Sequence, residues 1–79
     1  MIVFGNELRG RKAVVMNRVR EFRKARRMTQ QDLADLAGIS RQSIISIERG
    51  RYSPSLALAL KLAGIFSCAT DELFSLEED

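Results

Sequence analysis

Histidine and tryptophan are absent from the 79 residues, and cysteine and proline occur once each. A single cysteine, Cys68, cannot close an internal disulfide, and with no histidine beside it cannot build a Cys/His zinc site. No metal and no cofactor is therefore expected. Long apolar runs are missing as well. Stretches such as Leu56 to Leu60 fall far short of the roughly 20 residues a membrane-crossing helix needs, and the N-terminus lacks the apolar stretch of a signal peptide. These absences predict an intracellular, cytoplasmic protein with no membrane partner. A chain this short supports one small domain with a modest core and no deep cleft. No nucleophile is paired with a base, and the closing Glu77-Glu78-Asp79 reads as a solvated end, so enzyme activity is not expected.

What is present is charge, unevenly spread. The formal net charge is only +3. Residues 1–55 hold twelve of the thirteen Lys and Arg against five acids, a surplus of seven, whereas Lys61 faces five acids in the remainder. A basic front and an acidic tail follow. Such a charge run on its own describes an ordinary solvated surface; it points to nucleic acid only beside an element that can enter a groove.

The hydrophobic spacing predicts five short helices and no strand after residue 16. The first runs from about Asn17 to Arg26, with Val19, Phe22, Arg23 and Arg26 at helical spacing. In the second, Thr29 caps the helix and Asp32, three residues on, reaches back as its capping-box partner. Leu33, Ala34, Leu36 and Ala37 form its apolar stripe, and Gly38 ends it in the left-handed conformation. Ser40 caps the third, Arg41 to Arg49, which stops at Gly50. "RYSPS" turns the chain into a fourth helix, Leu56 to about Ile65, apolar on most faces and so in need of cover by the domain or a partner. "CATDELF" opens a fifth, with its acids near the positive end of the helix dipole.

Residues 30–49 are the informative stretch. Two helices joined through Gly38-Ile39-Ser40 cannot lie antiparallel and must cross steeply, as in a helix-turn-helix unit. The crossing calls for a small residue where the backbones meet (Ala34), a glycine in the turn (Gly38) and apolar residues at Leu33, Ala37, Ile39, Ile44 and Ile47. All are present together.

With "TQQDLADLAGISRQSIISIERG", "YSPSL", "LALKLA" and "DELF" in place, the chain resembles the Cro and phage-repressor-like regulators of the xenobiotic-response-element family over Asn17 to Phe74. It is most similar to the short stand-alone members. The resemblance implies an all-α, five-helix, lambda-repressor-like domain that binds operator DNA, usually as a symmetric dimer. The expected organisation is an N-terminal arm over 1–16, a helix-turn-helix DNA-binding domain over 17–75 and an acidic tail over 76–79.

In the docking geometry of this motif the second helix enters the major groove with its N-terminal end toward the bases. Arg41 and Gln42 are then kept off the core because they face DNA, Arg suited to a bidentate contact with guanine and Gln with adenine. Ser46, one turn on, is a third candidate for a base edge. Ile45 reads either as a contact to a thymine methyl or as a partly exposed apolar residue or dimer contact. Phosphate contacts are expected from Gln30, which matches the family position at a helix N-terminus, and from Ser43, Arg49, Arg51 and Tyr52. Tyr52 has a competing role, its ring packed on the core beside Pro54. Glu48 would repel phosphate; it and Arg23 match a position pair that forms an interhelical ion pair in phage repressors, so Glu48 is left out of the DNA-reading set.

Two departures from the family pattern stand out. Arg27 occupies a site where glycine is common, with strain of about 1 kcal/mol if it must take a positive φ. Ser67-Cys68-Ala69-Thr70 replaces the more usual Gly-Val-Ser-Ile/Leu run, and Cys68 reads as a small buried hydrophobe. Residues 1–15 lie outside the resemblance: they precede a native start at Met16, reach DNA with Arg9, Arg11 and Lys12, or bring Ile2, Val3 and Phe4 to a dimer interface or the core. Leu58, Phe74 and Leu76 are left over from the intradomain stripe and are the other dimer-interface candidates. Double-stranded DNA and a second copy of the chain are the expected partners. The alternatives are an antitoxin, which binds DNA and masks a toxin protein, and an interaction module that has lost DNA binding; Arg41, Gln42 and Arg49 argue against the latter.

Overall fold

The structure is a computed structural model and describes residues 13–78. In chain order it comprises strand β1 (Ala13–Asn17), helices α1 (Val19–Ala25), α2 (Gln30–Ala37), α3 (Arg41–Glu48), α4 (Leu56–Ile65) and α5 (Thr70–Leu73), and strand β2 (Phe74–Glu78). The five expected helices are present. The two strands pair antiparallel, with Val15 opposite Leu76 and Asn17 opposite Phe74.

That pairing corrects the expectation of no strand beyond residue 16. In "FSLEE" the apolar residues Phe74 and Leu76 alternate with Ser75 and Glu77, the period of a strand. The acids at its end had read as solvated tail, and the partner strand lies some sixty residues away in sequence. Asn17 belongs to this ribbon rather than to α1. Its Oδ1 accepts from the Val19 amide at 3.1 Å, serving the first turn of α1, and its Nδ2 donates to the Ile47 carbonyl at 2.8 Å, tying the ribbon to α3.

Local chemistry sets the other boundaries. Thr29 Oγ1 accepts from the Asp32 amide and Asp32 Oδ2 accepts from the Thr29 amide, both at 2.9 Å, so two N–H groups of the first turn of α2 are satisfied reciprocally. Gly38, at φ 73°, closes α2 with its amide donating to the Ala34 carbonyl. Ser40 caps α3 by accepting from the Ser43 amide at 3.1 Å, and Ser55 caps α4 by accepting from Leu58 at 3.2 Å. Arg26 donates to the Phe66 carbonyl at the end of α4, with its guanidinium 5.3 Å from the Phe66 ring centroid. The left-handed turn at Arg27 is real, with φ 56°, and Ser67 takes φ 54° at the α4–α5 junction.

Val19, Leu33, Ala34, Ile44, Ile47, Leu62, Phe66 and Leu73 are buried in one core that every helix enters. At roughly 25 cal/mol per Å² of apolar surface removed from water, this burial is the main force holding the short helices together. Two expectations about packing are corrected. Leu36 is 54% exposed, so the α2 stripe is Leu33, Ala34 and Ala37 alone. Leu58 and Phe74 are only partly left over, since each packs, half-buried, on the chain's own core. Leu56 and Leu60 on α4 and Leu76 on β2 are open to solvent, as are Met16 and Tyr52. Ile2, Val3 and Phe4 lie outside the described residues. Among the described residues no helix is long and apolar enough to cross a membrane.

Candidate nucleic-acid interface

Ile44 and Ile47, both fully buried, fix which way α3 faces. A helix turns 100° per residue, so with these two pointing inward Gln42 and Arg49 point outward, Ile45 and Ser46 lie to either side of them, and Arg41 and Ser43 take the flanks. Arg41, Gln42 and Arg49 are exposed; Ser43, Ile45 and Ser46 are half-buried. The helix thus forms a ridge with a polar outer surface.

A concavity lies along each side of the ridge. One, between α3 and the starts of α1 and α2, is lined by Arg20, Gln30, Arg41, Ile45, Glu48 and Arg49 among others. The other is lined by Ser40, Gln42, Ser43, Ser46 and Tyr52. The structure therefore divides the expected base-reading residues, Arg41 and Ile45 toward one hollow and Gln42 and Ser46 toward the other. Tyr52 is 46% exposed and lines the second hollow, which corrects the expectation that its ring packs on the core. Arg51 is exposed, and its amide donates to the Ser46 carbonyl at 2.9 Å, folding the loop after Gly50 back against α3.

The single carboxylate in the first hollow is occupied. Glu48 Oε2 accepts from Arg23 Nε at 2.6 Å and Oε1 accepts from Arg23 Nη2 at 3.1 Å, with the two side chains only 4% and 9% exposed. Arg23 Nη1 also donates to the Met28 carbonyl at 2.8 Å. This bidentate pair joins α1 to α3 and leaves Arg20, Arg41 and Arg49 to set the sign of the hollow. Gln30 stands at the mouth of the same hollow as the first residue of α2, and its Nε2 donates to Glu48 Oε1 at 3.2 Å.

Arg20 is the residue sequence reasoning missed. It lies three positions before Arg23 and hence on a neighbouring part of the same helical face, a relation that placing Arg23 beneath the hollow would have revealed. Two titratable groups outside the ridge are also shifted. Hydrogen bonds from the Thr29 backbone and hydroxyl hold the Asp32 carboxyl below its ordinary value. Burial, reinforced by Glu72 and opposed by Arg26, pushes the Cys68 thiol up. With its thiolate disfavoured and its side chain packed against the core, Cys68 behaves as a small apolar residue.

A helix-turn-helix pair whose second helix forms a polar ridge, with an arginine-lined hollow on one side and a polar one on the other, is an arrangement suited to DNA. Residues 19–73 match the helix-turn-helix family, and the chain belongs to it, among the Cro and repressor-like transcriptional regulators. An uncharacterized helix-turn-helix-type transcriptional regulator of Methanocaldococcus jannaschii is 44% identical over 63 residues, spanning 80% of this chain and 96% of the relative. The immunity repressor protein of Bacillus phage phi105 is 44% identical over 50 residues, 63% of this chain and 35% of the phage protein. Among solved structures, the restriction-modification controller protein C.AhdI from Aeromonas hydrophila matches with a TM-score of 0.66 at 39% identity, covering 71% of this chain and 85% of that one.

Proposed function

We propose that this regulator acts as a repressor, binding a palindromic operator as a homodimer with α3 in the major groove of double-stranded DNA. The observation that carries the proposal is the exposure of Arg41 and Gln42 at the start of a helix whose other face is locked by Ile44 and Ile47. Arg41 and Gln42 read base edges, each bidentate contact contributing about 1–3 kcal/mol of discrimination; Ser46 and Ile45 add a hydrogen bond and an apolar contact one turn on. Gln30 and Arg49 at the first hollow, Ser43 and Tyr52 at the second, and Arg51 in the loop after α3 meet the phosphates and set register. The repressor role is drawn from likeness to the phage immunity repressor.

A second copy supplies the second half-site. Apolar surface for that contact is available at Leu76, at the exposed Leu56 and Leu60, and at the open edges of Leu58 and Phe74. Successive major grooves on one face of DNA lie about 34 Å apart, so the dimer must hold its two α3 helices at that separation.

Selection from a randomised duplex library tests this reading. The expected result is a palindrome with half-sites about one helical turn apart, whose tight binding is lost in Arg41→Ala/Gln42→Ala. Recovery of no preferred sequence, with weak and equally salt-dependent binding by both proteins, would reject the assignment of the reading residues.

A further inference from the structure

Glu48 is the one acid among the cations of the first hollow, and its contacts give it a task beyond the ion pair. A carboxylate only accepts hydrogen bonds, so an amide side chain that meets it must turn its NH₂ end inward. Gln30 meets Glu48 Oε1 through Nε2 at 3.2 Å. The amide is thereby held in one of its two orientations, with its nitrogen beside Glu48 and one further N–H on that nitrogen left to donate. In the flipped orientation the carbonyl oxygen would face the Glu48 carboxylate, acceptor against acceptor.

The carboxylate can do this without repelling DNA because Arg23 covers both of its oxygens. Arg23 also holds the Met28 carbonyl, two residues before Gln30, so the same network steadies the backbone entering α2 and the side chain leaving it. We propose that Glu48 is a positioning residue for DNA binding, orienting the Gln30 amide so that its free N–H is presented to a phosphate. This rests on the reading of Gln30 as a backbone contact.

Because a phosphate contact is independent of sequence, the test uses a fluorescently labelled duplex of mixed sequence at low salt and the full chain. Four proteins are titrated: wild type, Glu48→Gln, Gln30→Ala and the double variant. Glu48→Gln is expected to weaken binding about tenfold when Gln30 is present, the size of one charge-assisted hydrogen bond, and to change it by less than about twofold in the Gln30→Ala background. An equal loss in both backgrounds would mean that Glu48 acts through the fold alone, overturning the proposal while leaving Gln30 as a contact. If Gln30→Ala binds like wild type, the reading of Gln30 fails and the proposal falls with it.

Glu48→Gln leaves the Arg23 guanidinium half-paired and can lower stability, so Arg23→Met/Glu48→Met is measured beside it. That variant removes both charges without stranding either. It is expected to show the same Gln30-dependent loss, and wild-type affinity in this folded variant would overturn the proposal.

Discussion

Ser67 and Arg27 hold left-handed backbone, at φ 54° and 56°, where a side chain costs about 1–2 kcal/mol and glycine costs nothing. Glycine also gives back about 0.5–1 kcal/mol through the greater freedom of the unfolded chain. The difference predicts that Ser67→Gly raises stability by about 0.5–1 kcal/mol, read as a higher urea midpoint with an unchanged slope. Arg27→Gly is expected to act in the same direction, whereas alanine at either position, still carrying a Cβ, gains nothing. Legibility at this scale depended on whether a residue's surroundings were local. The Arg23–Glu48 pair was placed in advance because a known motif spans both positions. Leu36 and the competing core role of Tyr52 fail because residue type stood in for geometry: an aromatic beside Pro54 looked like core, and Leu36 lies about 100° around the helix from the Leu33, Ala34 and Ala37 stripe.

Among the elements, α2 depends most visibly on its first turn. Thr29→Ala removes the hydroxyl that accepts from Asp32 and is expected to destabilise the fold by about 1 kcal/mol, measured by urea unfolding. The same turn makes stability depend on pH. The Asp32 carboxyl titrates below its ordinary 3.8 in the folded protein, so the unfolded chain binds the proton more readily. Its contribution is complete above the ordinary value and disappears as pH falls through the lowered one. Wild type should therefore lose stability relative to Asp32→Asn across that acid window and not above it, a comparison of urea midpoints against pH. The helix-turn-helix was legible from sequence because its determinants are contiguous: Thr29, Gly38, Ser40 and Gly50 each act on residues within a turn of themselves. Strand β2 was not, since its hydrogen bonds go to β1 at the other end of the chain and its own five residues hold two acids. For the same reason the start of α1 was set two residues early: Asn17 serves the ribbon and the helix at once.

For the molecule as a whole, the basic front becomes meaningful once α3 stands between two hollows with arginines around it. Charge alone would give any duplex the same affinity, and Arg41 and Gln42 alone would give little affinity for any; the ridge and its flanks divide the work. Salt dependence can count how many copies take part. Each phosphate neutralised by an arginine contributes about −0.9 to the slope of log K against log salt on double-stranded DNA. Arg51 is exposed in the loop after α3 and sits in no ion pair among the described residues. If two copies bind one operator, Arg51→Ala is expected to make the slope shallower by about 1.8, and if a single copy binds, by about 0.9. The measurement is a set of titrations of the selected duplex at several salt concentrations, with protein well above and well below the concentration at which it self-associates. A loss of about 0.9 at every protein concentration would reject the homodimer while keeping Arg51 as a contact. An unchanged slope would remove Arg51 from the phosphate-binding set and leave Arg49 as the residue on which to repeat the count.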